Sequence, residues 1–382
     1  MKKGLPAKFL LIPGAIIFLV LLITFGPRYL PNESEYKKDQ VHLQTVMAGK
    51  LAETPKPEVR LPVRGYIIPG ATGMCMIDAG AGIANFLEPD IDFDKYIFLD
   101  KPTLIMAARN KSERYGPGAS FIRPFVNLGY TPFRGITSPI HPPQYFFTDF
   151  EPQNFIYFKT REEELTFMKK LLSAGMVPVV TLTRDPFEPI EGGLFSSLVG
   201  YDQNGVWLNV SPPLPEKYAQ GRNFMDLPTR YKPRYLTYDK FFEFWTSDHQ
   251  FLWVVKTGNR KTNAEIYALN KKNVGEAPAN LQKTIEFLKG NGDLGLFTAP
   301  YDVPAAMVFY RYFQKRGDVA LANQYLEMAE AYIQFFPESR DANNIVSNIV
   351  SVFTGAERDR QRYIKTLEAI YPYFAKVATM WP

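Results

Sequence analysis

A single cysteine, Cys75, stands in these 382 residues, so neither a disulfide framework nor a multi-cysteine metal site can be built from the chain. Histidine is nearly as scarce. His42, His141 and His249 lie far apart and form no HExxH-type pair, so no resident metal or other cofactor is expected. Charge of one sign is also thin, with 44 basic against 39 acidic residues. No dense Lys/Arg stripe alternates with aromatics, which argues against nucleic acid as a partner. What is present describes a globular body. Hydrophobic residues make up 46% and charged ones 22%, too apolar for disorder and too charged for a polytopic membrane protein. The length suggests two domains, and 31 prolines with 15% aromatics suggest many loops.

One long apolar run exists. Phe9 to Phe25 contains 17 residues without a charge, at the short end of what crosses a bilayer. Lys2, Lys3 and Lys8 precede it, which places the amino terminus in the cytoplasm and exports the rest. A cleaved signal peptide is the alternative, but its apolar region usually spans about 7–15 residues and ends at a small-x-small signal. This run ends Thr24-Phe25-Gly26-Pro27-Arg28, so a retained anchor is the preferred expectation. Residues 1–30 are therefore read as membrane anchor, and the polar, proline-punctuated residues 31–60 as a stalk.

Residues 61–258 mix helix and strand signals. Cys75–Leu87 (CMIDAGAGIANFL) has helical spacing weakened by Gly80 and Gly82. Glu162–Ala174 is a cleaner helix, with acids first, lysines late and Gly175 just beyond. Strands are expected at Val177–Leu182, Ser196–Val199, Gly205–Asn209 and Leu252–Lys256, the middle two joined by a turn ending Asn204-Gly205. A helix followed by antiparallel hairpins, without βαβ alternation, predicts an α+β domain with an antiparallel sheet. Gly80-x-Gly82 follows no strand and lacks a third glycine, so it is not a phosphate loop. From 259 to 382 the expectation is all-helical, with helices at Leu281–Leu288, Val303–Lys315, Val319–Phe336, Asn343–Phe353 and Arg358–Phe374.

Two resemblances add to this reading. Gly70-Ala71-Thr72-Gly73-Met74-Cys75, running into the helix from Met76, resembles the nucleophile segment of papain-fold cysteine peptidases, and most closely the bacteriocin-processing, double-glycine leader peptidases. The later pieces follow in the family's order. Met176-Val177-Pro178-Val179-Val180 resembles its "G-x-P-V" strand, and Gly192 to Asp202 with Gly205 to Asn209 resembles its hairpin; Tyr238 to Trp245 and Leu252 to Val255 resemble its closing helix and strand. Separately, Gly317-Asp318 with Ala322, Ala329 and Pro337, after Tyr310 and Phe313, resembles half a tetratricopeptide repeat, an architecture that generally binds proteins or peptides.

The departures carry the functional expectation. A thiol nucleophile of this kind needs an imidazole, a residue that orients it, and an oxyanion donor. The peptidase resemblance puts Cys75 at the nucleophile position, but Leu194 stands where the His is expected and the stretch Tyr66–Met74 just before the cysteine contains no Gln. Only Asn209 is placed to act as an orienter. A leucine accepts no proton, so Cys75 is expected to be vestigial. The implied protein is a membrane-anchored, extracytoplasmic peptidase-like scaffold that binds a protein or peptide partner, within a larger membrane complex or alone. The alternatives are an active cysteine peptidase or amidase using Cys75 with a relocated base, and a chance likeness in which Cys75 is an ordinary buried residue. Three lesser clusters complete the reading. Asp90, Asp92 and Asp94 alternate like a calcium loop without its Gly and Glu, and are read as a solvated acidic turn. Ser196 and Ser197 lie within a strand and lack a nucleophile elbow. The Tyr145-Phe146-Phe147 and Phe150 loop is read as resting on the core.

Overall fold

A computed structural model describes residues 45–47, 49–51, 54–67, 75–100, 119–136, 155–187, 194–210, 229–245, 250–290, 302–335 and 357–381. The chain is a mixed α and β protein with a largely antiparallel sheet. Its strands are β1 (Val59–Arg60), β2 (Gly65–Ile67), β3 (Tyr130–Ile136), β4 (Phe155–Tyr157), β5 (Val179–Leu182), β6 (Leu194–Tyr201), β7 (Gly205–Asn209), β8 (Thr229–Tyr231), β9 (Arg234–Thr237) and β10 (Phe251–Lys256). The helices are α1 (Cys75–Leu87), α2 (Phe93–Asp100), α3 (Ala119–Asn127), α4 (Arg161–Ser173), α5 (Tyr238–Phe244), α6 (Asn263–Lys289), α7 (Asp302–Lys315), α8 (Val319–Phe335) and α9 (Glu357–Met380).

The main sheet runs β4-β3-β10-β5-β6-β7-β9, with β1 paired to β6 and with β2 and β8 forming a separate two-stranded sheet. Among the described strands only β3·β4 is parallel, a departure from the antiparallel sheet expected. Both faces of the main sheet are covered. Phe195, Val199, Leu252 and Val254 join the core under α1, α2 and α3, whereas Leu198, Phe251, Trp253 and Val255 face Met168 and Leu171 of α4 and Phe241 of α5. β10 reads FLWVV before its lysine because neither of its faces meets water.

Local chemistry fixes the boundaries. Thr160 caps α4 by accepting from the Glu163 N–H, and Gly175 turns the chain with φ 81°. Asp202 Oδ1 accepts from the N–H groups of Asn204 and Gly205, closing the β6–β7 turn. Gly317, with φ 84°, separates α7 from α8, and Ala322 and Ala329 are buried in α8.

Several expectations need correction. The first helix of the 259–382 region, expected at Leu281–Leu288, starts at Asn263, because Thr262 and Glu265 form a reciprocal capping box and the helix continues through Pro278. The last residues of the expected stalk belong to the body: Val59 pairs with Tyr201, and Tyr201 Oη donates to the Lys56 carbonyl at 2.6 Å. In the acidic turn Asp90 and Asp92 are exposed, as expected, but Asp94 is not. Asp92 caps α2 through the Lys95 N–H, Asp90 pairs with Arg260 at 2.9 Å, and buried Asp94 pairs with Arg311 of α7. The α6–α9 helices share one core with α1–α3: Phe98 of α2 stacks on Tyr312 with centroids 4.3 Å apart and lies against Trp381. No helix among the described residues is long and apolar enough to cross a membrane. The expected Phe9–Phe25 anchor, the Asn343–Phe353 helix and the Tyr145–Phe150 loop lie outside the described residues.

Candidate functional site

Cys75 is the first residue of α1, and the Phe195 N–H donates to its Sγ at 3.4 Å. The start of the helix and the start of β6 therefore meet, as the sequence led one to expect. The identity of the facing side chain differs. Successive strand residues point to opposite faces, and Leu194 packs with the α4–α5 core, whereas Phe195 joins the core to which Cys75 belongs. The side chain sharing the thiol's face is thus that of Phe195, one residue beyond the position where the imidazole was expected. Phenylalanine accepts no proton either. Cys75 is partly exposed as a residue, yet loss of water around its sulfur dominates and pushes the thiol up to about 11. The Phe195 N–H pulls the other way and loses. At neutral pH this thiol is protonated and a poor nucleophile.

Asn209 ends β7 opposite Ser197, almost fully buried. Its Nδ2 donates to the Val63 carbonyl at 3.5 Å, and its own backbone carbonyl accepts from Ser196 Oγ at 3.0 Å. These bonds tie Asn209 to the segment before β2 and to β6. Ser197 Oγ donates to the Ala79 carbonyl at 3.5 Å, so both serines are engaged structurally. Gly70–Met74, Gly192, Gly193 and all three histidines lie outside the described residues. No group of three or more His, Cys, Asp or Glu able to hold a metal occurs among the described residues.

Sequence reasoning passed over the most unusual group beside the thiol. Asp78 lies one turn after Cys75 on the same side of α1, within the continuous buried stretch Met76–Ala84. The Tyr66 N–H donates to its Oδ1 and Tyr231 Oη to its Oδ2, the latter at 2.7 Å. Burial outweighs both bonds and raises the carboxyl to about 7. Tyr231 is pushed well above the usual phenol range, first by burial and then by Asp78. The signal was present in the sequence as the one acid in the apolar first turns of that helix, a group that burial obliges to find partners.

Compared with known proteins, the chain matches no family model and no curated sequence.

Proposed function

We propose that this chain is a peptidase-like scaffold without catalysis, which holds a protein or peptide partner at a membrane surface. Phe9–Phe25 anchors it, with the amino terminus cytoplasmic and the body extracytoplasmic. The observation that carries the reading is Cys75 itself. It occupies a nucleophile's place at a helix start, facing β6, but Phe195 lies beside it and its thiol is held up near 11. The order of α1, α4, β5, the β6–β7 hairpin, α5 and β10 supports a papain-like body. The α7–α8 pair, with its Gly317 turn and buried Ala322 and Ala329, supports a tetratricopeptide-like contribution from the helical part.

The test has two arms on the full-length protein in its native membrane. Cys75 alkylation should be slow at pH 7 and accelerate only toward pH 10–11, following the thiol near 11. Cys75→Ala should fold, retain cell-level function and co-purify with the same partner as the parent protein. Rapid alkylation well below pH 8, or loss of function in a folded Cys75→Ala protein, would instead establish the cysteine peptidase or amidase reading.

A further inference from the structure

We propose that the two-stranded β2–β8 sheet is a proton-controlled strap across α1, held down when Asp78 carries a proton and released when Asp78 is ionised. The geometry begins with two glycines. A Cβ on Gly82 of α1 would stand 2.7 Å from the Arg64 carbonyl oxygen, so the backbone leading into β2 lies directly on the helix. A Cβ on Gly65 would collide with the Tyr231 ring, so that ring crosses β2 and reaches Asp78. Both strands therefore end on one buried carboxyl, β2 through the Tyr66 N–H and β8 through Tyr231 Oη.

The bonding differs between the two protonation states. Tyr231 Oη lies 2.7 Å from Asp78 Oδ2 and 3.1 Å from the Asn209 carbonyl. With Asp78 protonated, its proton goes to Tyr231 Oη, the tyrosine donates to Asn209, and Oδ1 still accepts from Tyr66. No charge is then buried and each of these groups has a partner. With Asp78 ionised, a full negative charge is buried against two neutral donors. Lifting the strap returns that charge to water.

Among the described neighbours Asp78 is the one that titrates near neutrality. Cys75 from α1 stays neutral until about 11, and Tyr66 from β2 and Tyr231 from β8 are both raised above the ordinary phenol value. Asn209 from β7 does not ionise, and Tyr96 from α2 lies against Gly80. Asp92 and Asp185 act on the two tyrosines from further out. Arg230 of β8 donates to Tyr66 Oη at 2.8 Å and to Asn85 Oδ1 of α1, a second tie that persists because a guanidinium stays charged.

A carboxyl raised in the closed state binds its proton more tightly there than in the open one, so closure is favoured as pH falls. Taking about 3.9 when exposed and about 7 when covered, the opening constant should rise roughly thirty-fold between pH 5.5 and 8. Amide hydrogen exchange on the full-length protein, corrected for the intrinsic effect of pH, reads this in Gly65–Ile67 and Thr229–Tyr231, with β10 as reference. Asp78→Asn keeps a donor for Tyr231 and an acceptor for Tyr66, and should hold both strands protected at either pH. Tyr231→Phe removes a donor that favours the ionised carboxyl, so it should lower protection more at pH 8 than at pH 5.5 and steepen the response. Equal corrected protection of the parent strands at both pH values would overturn the proposal, as would a parent-like pH response in Asp78→Asn. If Asp78→Asn does not fold, the parent comparison alone decides.

Discussion

Arg311 of α7 donates to Asp94 of α2 at 3.1 Å with only 10% and 7% of the two side chains exposed, across 217 positions of sequence. Lys315 approaches the other Asp94 oxygen at 3.2 Å, but its side chain is 58% exposed. Breaking a buried pair from one side leaves a charge uncompensated. Asp94→Ala should therefore destabilise by about 3–5 kcal/mol, whereas Lys315→Ala should remove about 1 kcal/mol or less. Asp94→Leu combined with Arg311→Met should recover most of the loss. Urea denaturation of the four proteins checks the ranking.

The phase of β6 makes a sharp test of the site. Phe195→His would place an imidazole on the face that Cys75 shares, whereas Leu194→His would place it on the α4–α5 side. Only the first should speed Cys75 alkylation at pH 7, by roughly tenfold for each unit that the thiol is lowered. Equal acceleration by both variants would show that the two side chains do not divide between the faces.

The Cys75 thiol also predicts a pH dependence of stability. Its value is about 11 in the folded chain against about 8.5 for a free thiol, so the folded state disfavours the thiolate. The associated stability is complete below about 8.5 and is lost as pH rises toward 11. The difference in thermal midpoint between the parent and Cys75→Ala should therefore move against the parent from pH 8 to pH 10.5. A constant difference across that range would refute the assigned environment.

Close approach at Gly82 predicts an asymmetric response to alanine. At Gly82 the new methyl meets a backbone oxygen that cannot swing aside, so Gly82→Ala should cost about 1–3 kcal/mol and loosen β2. At Gly175, with φ 81° and nothing within 4 Å of a Cβ, the penalty is backbone strain alone, about 1–2 kcal/mol. Chemical denaturation gives both totals, and hydrogen exchange in β2 separates them.

Elements with local signals were legible in the sequence. Expected over Glu162–Ala174, α4 runs Arg161–Ser173 because its Thr160 cap, early acids and Gly175 are all nearby in the chain. The β6–β7 turn declared itself through Asn204-Gly205. By contrast, α2 places Tyr96, Ile97, Phe98 and Leu99 in the core on successive positions, because α1 and the carboxy-terminal helices enclose it. Such a helix shows no amphipathic stripe, and α3 hides its nature further behind Pro124. At the candidate site, the Cys75 helix start was readable, but whether residue 194 or 195 faced it depended on how β6 meets two cores. Asp94 looked solvated because its partner Arg311 is remote in sequence.

β10 has a topological consequence for the order of assembly. Among the described strands it is the last in sequence, yet it lies between β3 and β5. Until residues 251–256 arrive, β4-β3 on one side and β5-β6-β7-β9 on the other share no strand, and each leaves an unpaired edge. β10 is therefore a keystone, the strand through which these two parts of the sheet are joined. Such long-range closure is the slow kind of folding step, and here it rests on Phe251 and Leu252, which pair with both β3 and β5.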